Sequence, residues 1–223
     1  MTDDSFFREV NEEIRSDRAK AVWQRFGPLL IGAAVAIVLG TAGMVAYKHW
    51  SASQAAQSGD KYLSALDLAD QGKKDEALAA LSALEKDGYG DYPALARMRA
   101  ATLLADKGDA AGAVAAYDKI AADSAVPAVL QDIARLRAGF LLIDTGSYDD
   151  VAKRVEPITA DGNPMRFSAR EALGLAAWKA GRFADALRIF QQIADDSSTP
   201  PDIGQRANMM LDLIHSSGEA KKS

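Results

Sequence analysis

The chain has 223 residues, 48% hydrophobic and 7% aromatic, with 26 lysines and arginines against 31 aspartates and glutamates for a net charge of -5. That length allows one or two domains, and the acidic balance argues against a general nucleic-acid binder, which carries a basic excess. With no cysteine there is no disulfide framework, thiolate metal site or thiol nucleophile, and only seven prolines beside abundant alanine favour helix over sheet.

Residues 1–26 form a charged segment, read as cytoplasmic. In "DDSFFREVNEEIRSDRAKAVWQRFG" the side chains of Phe7, Val10 and Ile14 fall on one side of a possible helix. That side suits a membrane surface or a partner; a charged lead-in to the next segment fits equally well. Residues 27–47, "GPLLIGAAVAIVLGTAGMVAY", contain no charge. At about 1.5 Å per residue they reach roughly 31 Å as a helix, the thickness of a bilayer hydrocarbon core, and so predict a transmembrane anchor. Pro28 then sits in the first turn, where a missing N–H is harmless. A buried core helix is disfavoured by the length and the polar flanks. A cleaved signal peptide is disfavoured by the 26 residues ahead, which include Asp3, Asp4, Glu9, Glu12, Glu13 and Asp17.

Arg8, Arg15, Arg18, Lys20 and Arg25 precede the span, whereas Lys48 and Lys61 alone follow within twenty residues. The bias places the N-terminus in the cytoplasm and residues 48–223 outside, which in a bacterium is the periplasm. Trp23, Tyr47 and Trp50 stand where interfacial aromatics are expected. Within the span, Gly32, Ala36 and Gly40 follow small-xxx-small spacing, a candidate contact with another membrane helix, although such residues are common in membrane helices.

After a juxtamembrane linker at 48–57, a unit recurs. Turn glycines stand at Gly72, Gly108, Gly146 and Gly181, at intervals of 36, 38 and 35 residues. Five places after each comes Ala77, Ala113, Val151 or Ala186. Nine places after comes Leu81, Tyr117, Val155 or Phe190, and twelve after comes Leu84, Ile120, Ile158 or Ile193. These offsets trace one face of a helix. Seven places before each glycine stands a small residue, Ala65, Ala101, Gly139 or Gly174, which allows the preceding helix a close approach. Each unit therefore reads as helix, glycine turn, helix, with Gly88–Pro93, Pro127, Pro157–Pro164 and Pro200–Pro201 separating the units. The Gly146 unit departs most, because Val151 replaces a small residue and Pro157 cuts its second helix short.

A last run, "PDIGQRANMMLDLIHS", places Ile203, Ala207, Met210, Leu211 and Ile214 on one stripe and reads as a capping helix for the stack. Residues 216–223 read as a disordered tail. The expected fold is all-α: an N-terminal transmembrane helix, then over 58–215 an α-solenoid of about four tetratricopeptide-like helix pairs plus the cap.

No catalytic constellation emerges. His49 and His215 are far apart in sequence, no GxSxG or HExxH is present, and Asp149–Asp150 and Asp195–Asp196 sit at helix starts or in linkers. No enzyme activity, cofactor, metal or small-molecule substrate is expected. Eleven places before each turn glycine stands a cation: Lys61, Arg97, Arg135 or Arg170. Repeated at one place on each first helix, these form a candidate ladder for a partner's carboxylates. A solvated stripe paired with local acids is the alternative.

The period and positions resemble the tetratricopeptide repeat over residues 58 to about 196, most clearly in "GLAAWKAGRFADALRIF" (Gly174–Phe190). Cations at the ladder position depart from that family, which usually carries a bulky apolar residue there. The full layout, with "EVNEEIRSDRAKAVWQRFG", resembles the YfgM-like family of bacterial inner-membrane proteins. That resemblance implies an ancillary subunit of the SecYEG translocon, a periplasmic adaptor binding the channel and periplasmic chaperones, with lipid contact through 27–47. A scaffold for cell-wall, cell-division or cytochrome assembly is the alternative.

Overall fold

In a computed structural model the backbone is described for residues 3–218 and the side chains for Lys20 and residues 23–218. The chain divides into two compact units, residues 1–56 and 57–223. Nine α-helices and no strand occur among the described residues.

The first unit is formed by helix α1, which spans Asp3–Asp70 and reaches into the second unit. The side chains of Phe7, Val10 and Ile14 lie outside the described residues. Because α1 begins so early, Pro28 lies inside the helix and not in a first turn. Its ring supplies no N–H to the carbonyl four residues back. The interval 48–57, read as a linker, is helical throughout. No residue of the apolar window of α1 is buried, and Leu29, Ile37 and Leu39 are all exposed. The helix is long and apolar enough to cross a membrane, which is compatible with a single-pass anchor.

The second unit is a stack of helix pairs. The end of α1 pairs with α2 (Lys74–Asp87), and α3 (Tyr92–Asp106) with α4 (Ala110–Ala121). Helix α5 (Ala128–Thr145) pairs with α6 (Tyr148–Val155), which one turn of 3-10 helix, Glu156–Ile158, prolongs. Helix α7 (Arg166–Lys179) pairs with α8 (Phe183–Asp195), and α9 (Pro201–Ser217) packs on α8 and α7. Ser216 and Ser217, assigned from sequence to the tail, close α9; residues 219–223 lie outside the described residues.

The repeat register is the packing register. All twelve residues at offsets +5, +9 and +12 from the turn glycines are at most 2% exposed. Opposite them Ala65, Ala101, Gly139 and Gly174 are buried in the first helices. A methyl group at Gly174 would stand 2.9 Å from Phe190 Cζ, and one at Gly139 would stand 2.5 Å from Val155 Cγ1. Only glycine admits those neighbours. Gly72, Gly108 and Gly181 turn the chain in the left-handed region, at φ 79°, 86° and 74°. Gly146 instead turns through an extended conformation, φ -99° and ψ 178°, donating its N–H to Leu142 O.

Polar bonds between neighbouring units recur about one repeat apart. Ser58 Oγ accepts from Tyr89 N at 2.9 Å, and Lys74 Nζ donates to Asp106 O at 2.6 Å. Arg154 binds both carboxylate oxygens of Asp118 at 2.9 and 2.7 Å, and Asn163 Nδ2 donates to Asp132 at 2.7 Å. Arg206 grips the buried Glu171 at 2.5 and 2.8 Å, fixing α9 to α7. These pairs are 31 to 36 residues apart, as expected of a solenoid whose repeats meet their neighbours.

Candidate protein-binding face

The first helices carry a second stripe, about a quarter-turn around the helix from their small residues. At offsets -13, -10, -6 and -3 from the turn glycines stand Leu95, Met98, Thr102 and Ala105 in α3. In α5 the same offsets hold Ile133, Leu136, Phe140 and Ile143. The steps of three and four keep each set on one helix face. Leu175 and Trp178 continue it in α7, and Tyr62, Leu66 and Ala69 begin it in α1. Phe140 and Trp178 are exposed; the other apolar members are half-buried, and Tyr62, Ala69, Met98, Leu136, Ile143 and Leu175 lean on the core with part of their surface left open.

Between α3 and α5 the stripe opens into a groove of about 540 Å³, lined by Thr102, Ala105, Ile133, Leu136, Phe140 and Met165. Tyr117 forms its floor. Thr102 Oγ1 donates to Met98 O at 3.1 Å, so the 2.8 Å contact between Thr102 and Tyr117 is donated by the phenol. Asp106 and Arg137 bring opposite charges to the same groove. Elsewhere on the face, Arg99 lies 3.9 Å from Asp70, Glu171 is gripped by Arg206, and Lys179 donates to Ile143 O at 2.8 Å and to Asp144 O.

The four cations at offset -11 look elsewhere. Arg97 donates to Asp123 at 2.6 Å and to Lys119 O at 3.3 Å, and lies 3.7 Å from Glu85. The Arg97 guanidinium, helped by the Ala125 N–H, holds the Asp123 carboxyl below its usual range. Arg135 donates to Ala121 O at 2.9 Å and to Asp132 at 2.8 Å, and Arg170 to Asp161 at 2.5 Å. Lys119 and Ala121 belong to the last turn of α4, the negative end of its dipole, where a cation is stabilising. These three arginines thus meet the chain's own oxygens. Lys61 is exposed, in a shallow hollow with Asp60, Ser64 and Asp87.

Gly32, Ala36 and Gly40 lie exposed on α1, and the space over both glycines is open. His49 and His215 are exposed, and among the described residues no group of three His, Asp or Glu converges to hold a metal. Asp150 forms a capping box with Ser147, whose hydroxyl and backbone N–H hold its carboxyl below the usual range. Asp196 is held low in the same way by Ser198. Both acids serve local backbone. The apolar stripe was missed in the sequence, although the same count of offsets, extended backward from the glycines, exposes it.

A family model described as a tetratricopeptide repeat-like domain matches residues 20–212. No curated protein and no solved structure matches the chain.

Proposed function

The chain belongs to the tetratricopeptide repeat-like domain family, and on that premise we propose that it is a membrane-anchored adaptor binding other proteins through its first-helix face. The carrying observation is that face: an apolar stripe in register on successive first helices, left half-buried by the fold. The anchor is α1, crossing at 27–47 in contact with lipid, the N-terminus in the cytoplasm and the stack in the periplasm. The exposed apolar window of α1 and the excess of lysine and arginine before it support this topology. Anchoring would hold the binding face at high local concentration beside the membrane.

On the resemblance of its layout, the adaptor serves as an ancillary translocon subunit, linking the SecYEG channel to periplasmic chaperones. The role needs no catalysis, cofactor or nucleic acid. Gly32, Ala36 and Gly40 are its candidate contact with a channel helix. Lys61, with Arg97, Arg135 and Arg170 where a partner competes for their present bonds, is its candidate polar contact. Pulldown in gentle detergent tests the assignment: recovery of channel subunits is expected. Recovery of cell-wall, cell-division or cytochrome-assembly proteins without them would favour the alternative scaffold. Since the chain has no cysteine, single cysteines at Ser5 and Ser198 report topology cleanly. An impermeant maleimide should label only Ser198→Cys in intact spheroplasts.

A further inference from the structure

We infer that the segment recognised by the first-helix face is apolar and uncharged, a hydrophobic stretch of an incompletely folded polypeptide. This rests on the adaptor reading above and adds the chemistry of the ligand to it.

The groove between α3 and α5, about 540 Å³, lies within the roughly 300–1,000 Å³ of sites that enclose organic groups, and aliphatic and aromatic side chains line most of it. The charges around it are largely engaged. Asp70 faces Arg99, Glu171 is gripped by Arg206, and Lys179 is bonded to the last carbonyls of α5. Asp106 and Arg137 both line the groove, giving it one charge of each sign. The arginines at offset -11 are bonded to Asp123, Asp132 and Asp161 and to the end of α4. A strongly acidic or basic tail would therefore meet charges of both signs and not a field of one sign, and seating it against the apolar lining would cost desolvation. An apolar segment meets no such penalty and gains the burial of Leu136, Phe140 and Trp178.

The test uses the full chain in lipid nanodiscs, with a photo-crosslinking residue in place of Ala105 in the groove or Lys153 on α6. Three synthetic peptides of equal length serve as probes. One is uncharged with Leu or Phe at every third position among Ser and Gln, one ends in four glutamates, and one ends in four lysines. Empty nanodiscs report partition into lipid. The uncharged apolar peptide should crosslink at position 105 and not at 153, with an affinity unchanged between low salt and about 0.5 M. Phe140→Glu should weaken it by about tenfold or more, and Phe140→Leu should restore most of the binding. Trp178→Glu, on a different helix, should act as Phe140→Glu does, and circular dichroism checks that each variant folds. Preference for either charged peptide at position 105, with binding that falls as salt rises, overturns the inference and leaves the adaptor face standing. Crosslinking confined to position 153, or absent at 105 with every peptide, overturns both.

Discussion

In the unit turning at Gly181 the second helix runs unbroken for 13 residues. In the unit turning at Gly146 it stops after eight, because Pro157 offers no N–H and the chain passes into a 3-10 turn. The turns differ as well, left-handed at Gly181 and extended at Gly146. Yet Val151, Val155 and Ile158 are buried as completely as Ala186, Phe190 and Ile193. A 3-10 turn rises only slightly faster per residue than an α-helix, so Ile158 still arrives where Ile193 does. The repeat thus demands side chains delivered at three offsets and tolerates a different backbone between them. It also demands complementary volumes. Valine at +5 and +9 is accommodated because Gly139 faces it, while Ala65 and Ala101 hold the equivalent place in the first two units.

Truncations test that equivalence most strongly. Phe190→Ala should cost about 3–5 kcal/mol and Val155→Ala about 2 kcal/mol, measured by urea unfolding of the anchored chain. A negligible loss at Val155 would show that the Gly146 unit is only loosely packed. The two units also differ in how the next helix is pinned: Asn163 bonds Asp132 behind one, and Arg206 grips Glu171 behind the other. Arg206→Ala leaves Glu171 buried without its partner. With the arginine itself half exposed, the expected loss is about 1–3 kcal/mol, with hydrogen exchange accelerated first in α9.

Gly139→Ala should cost about 1 kcal/mol net, overpacking against Val155 outweighing alanine's better helix propensity. Pro157→Ala should change stability by less than about 0.5 kcal/mol, since the exposed proline shapes the backbone while Ile158 does the packing. The smallest effect is a pH effect. Ser147 holds Asp150 low, and Arg182 holds Asp185 low, at the same place in their units. Depressed carboxyls contribute stability that is fully present above the ordinary aspartate pKa near 4 and lost as pH falls through their folded values. Both contributions should therefore persist from neutral pH to about pH 4 and fade below it. Salt should weaken only the Arg182–Asp185 pair.

Much of this fold was legible because burial imposes a period. The glycine intervals located the pairs, and the three offsets located the twelve core residues. What the offsets could not carry was direction around the first helix. The row from Lys61 to Arg170 was visible as a row, but the bonds of Arg97 and Arg135 to the end of α4 and of Arg170 to Asp161 depend on how units are rotated. The bonds of Lys74, Arg154 and Arg206 to residues one repeat away were hidden for the same reason. Residues 48–57 read as a juxtamembrane linker, yet they contain no proline or glycine to break α1.

Gly218 closes α9 at φ 70°, in the conformation of Gly72, Gly108 and Gly181, and 37 positions after Gly181 (218 minus 181). Helix α9 therefore ends as a first helix ends, while Met209 and Leu213 lie exposed along it. For protein engineering this is an open growth point. A two-helix module grafted after Gly218 begins from a turn already formed and two exposed apolar side chains to pack against. Each added module would lengthen the stack by one increment and extend the track available to a bound segment.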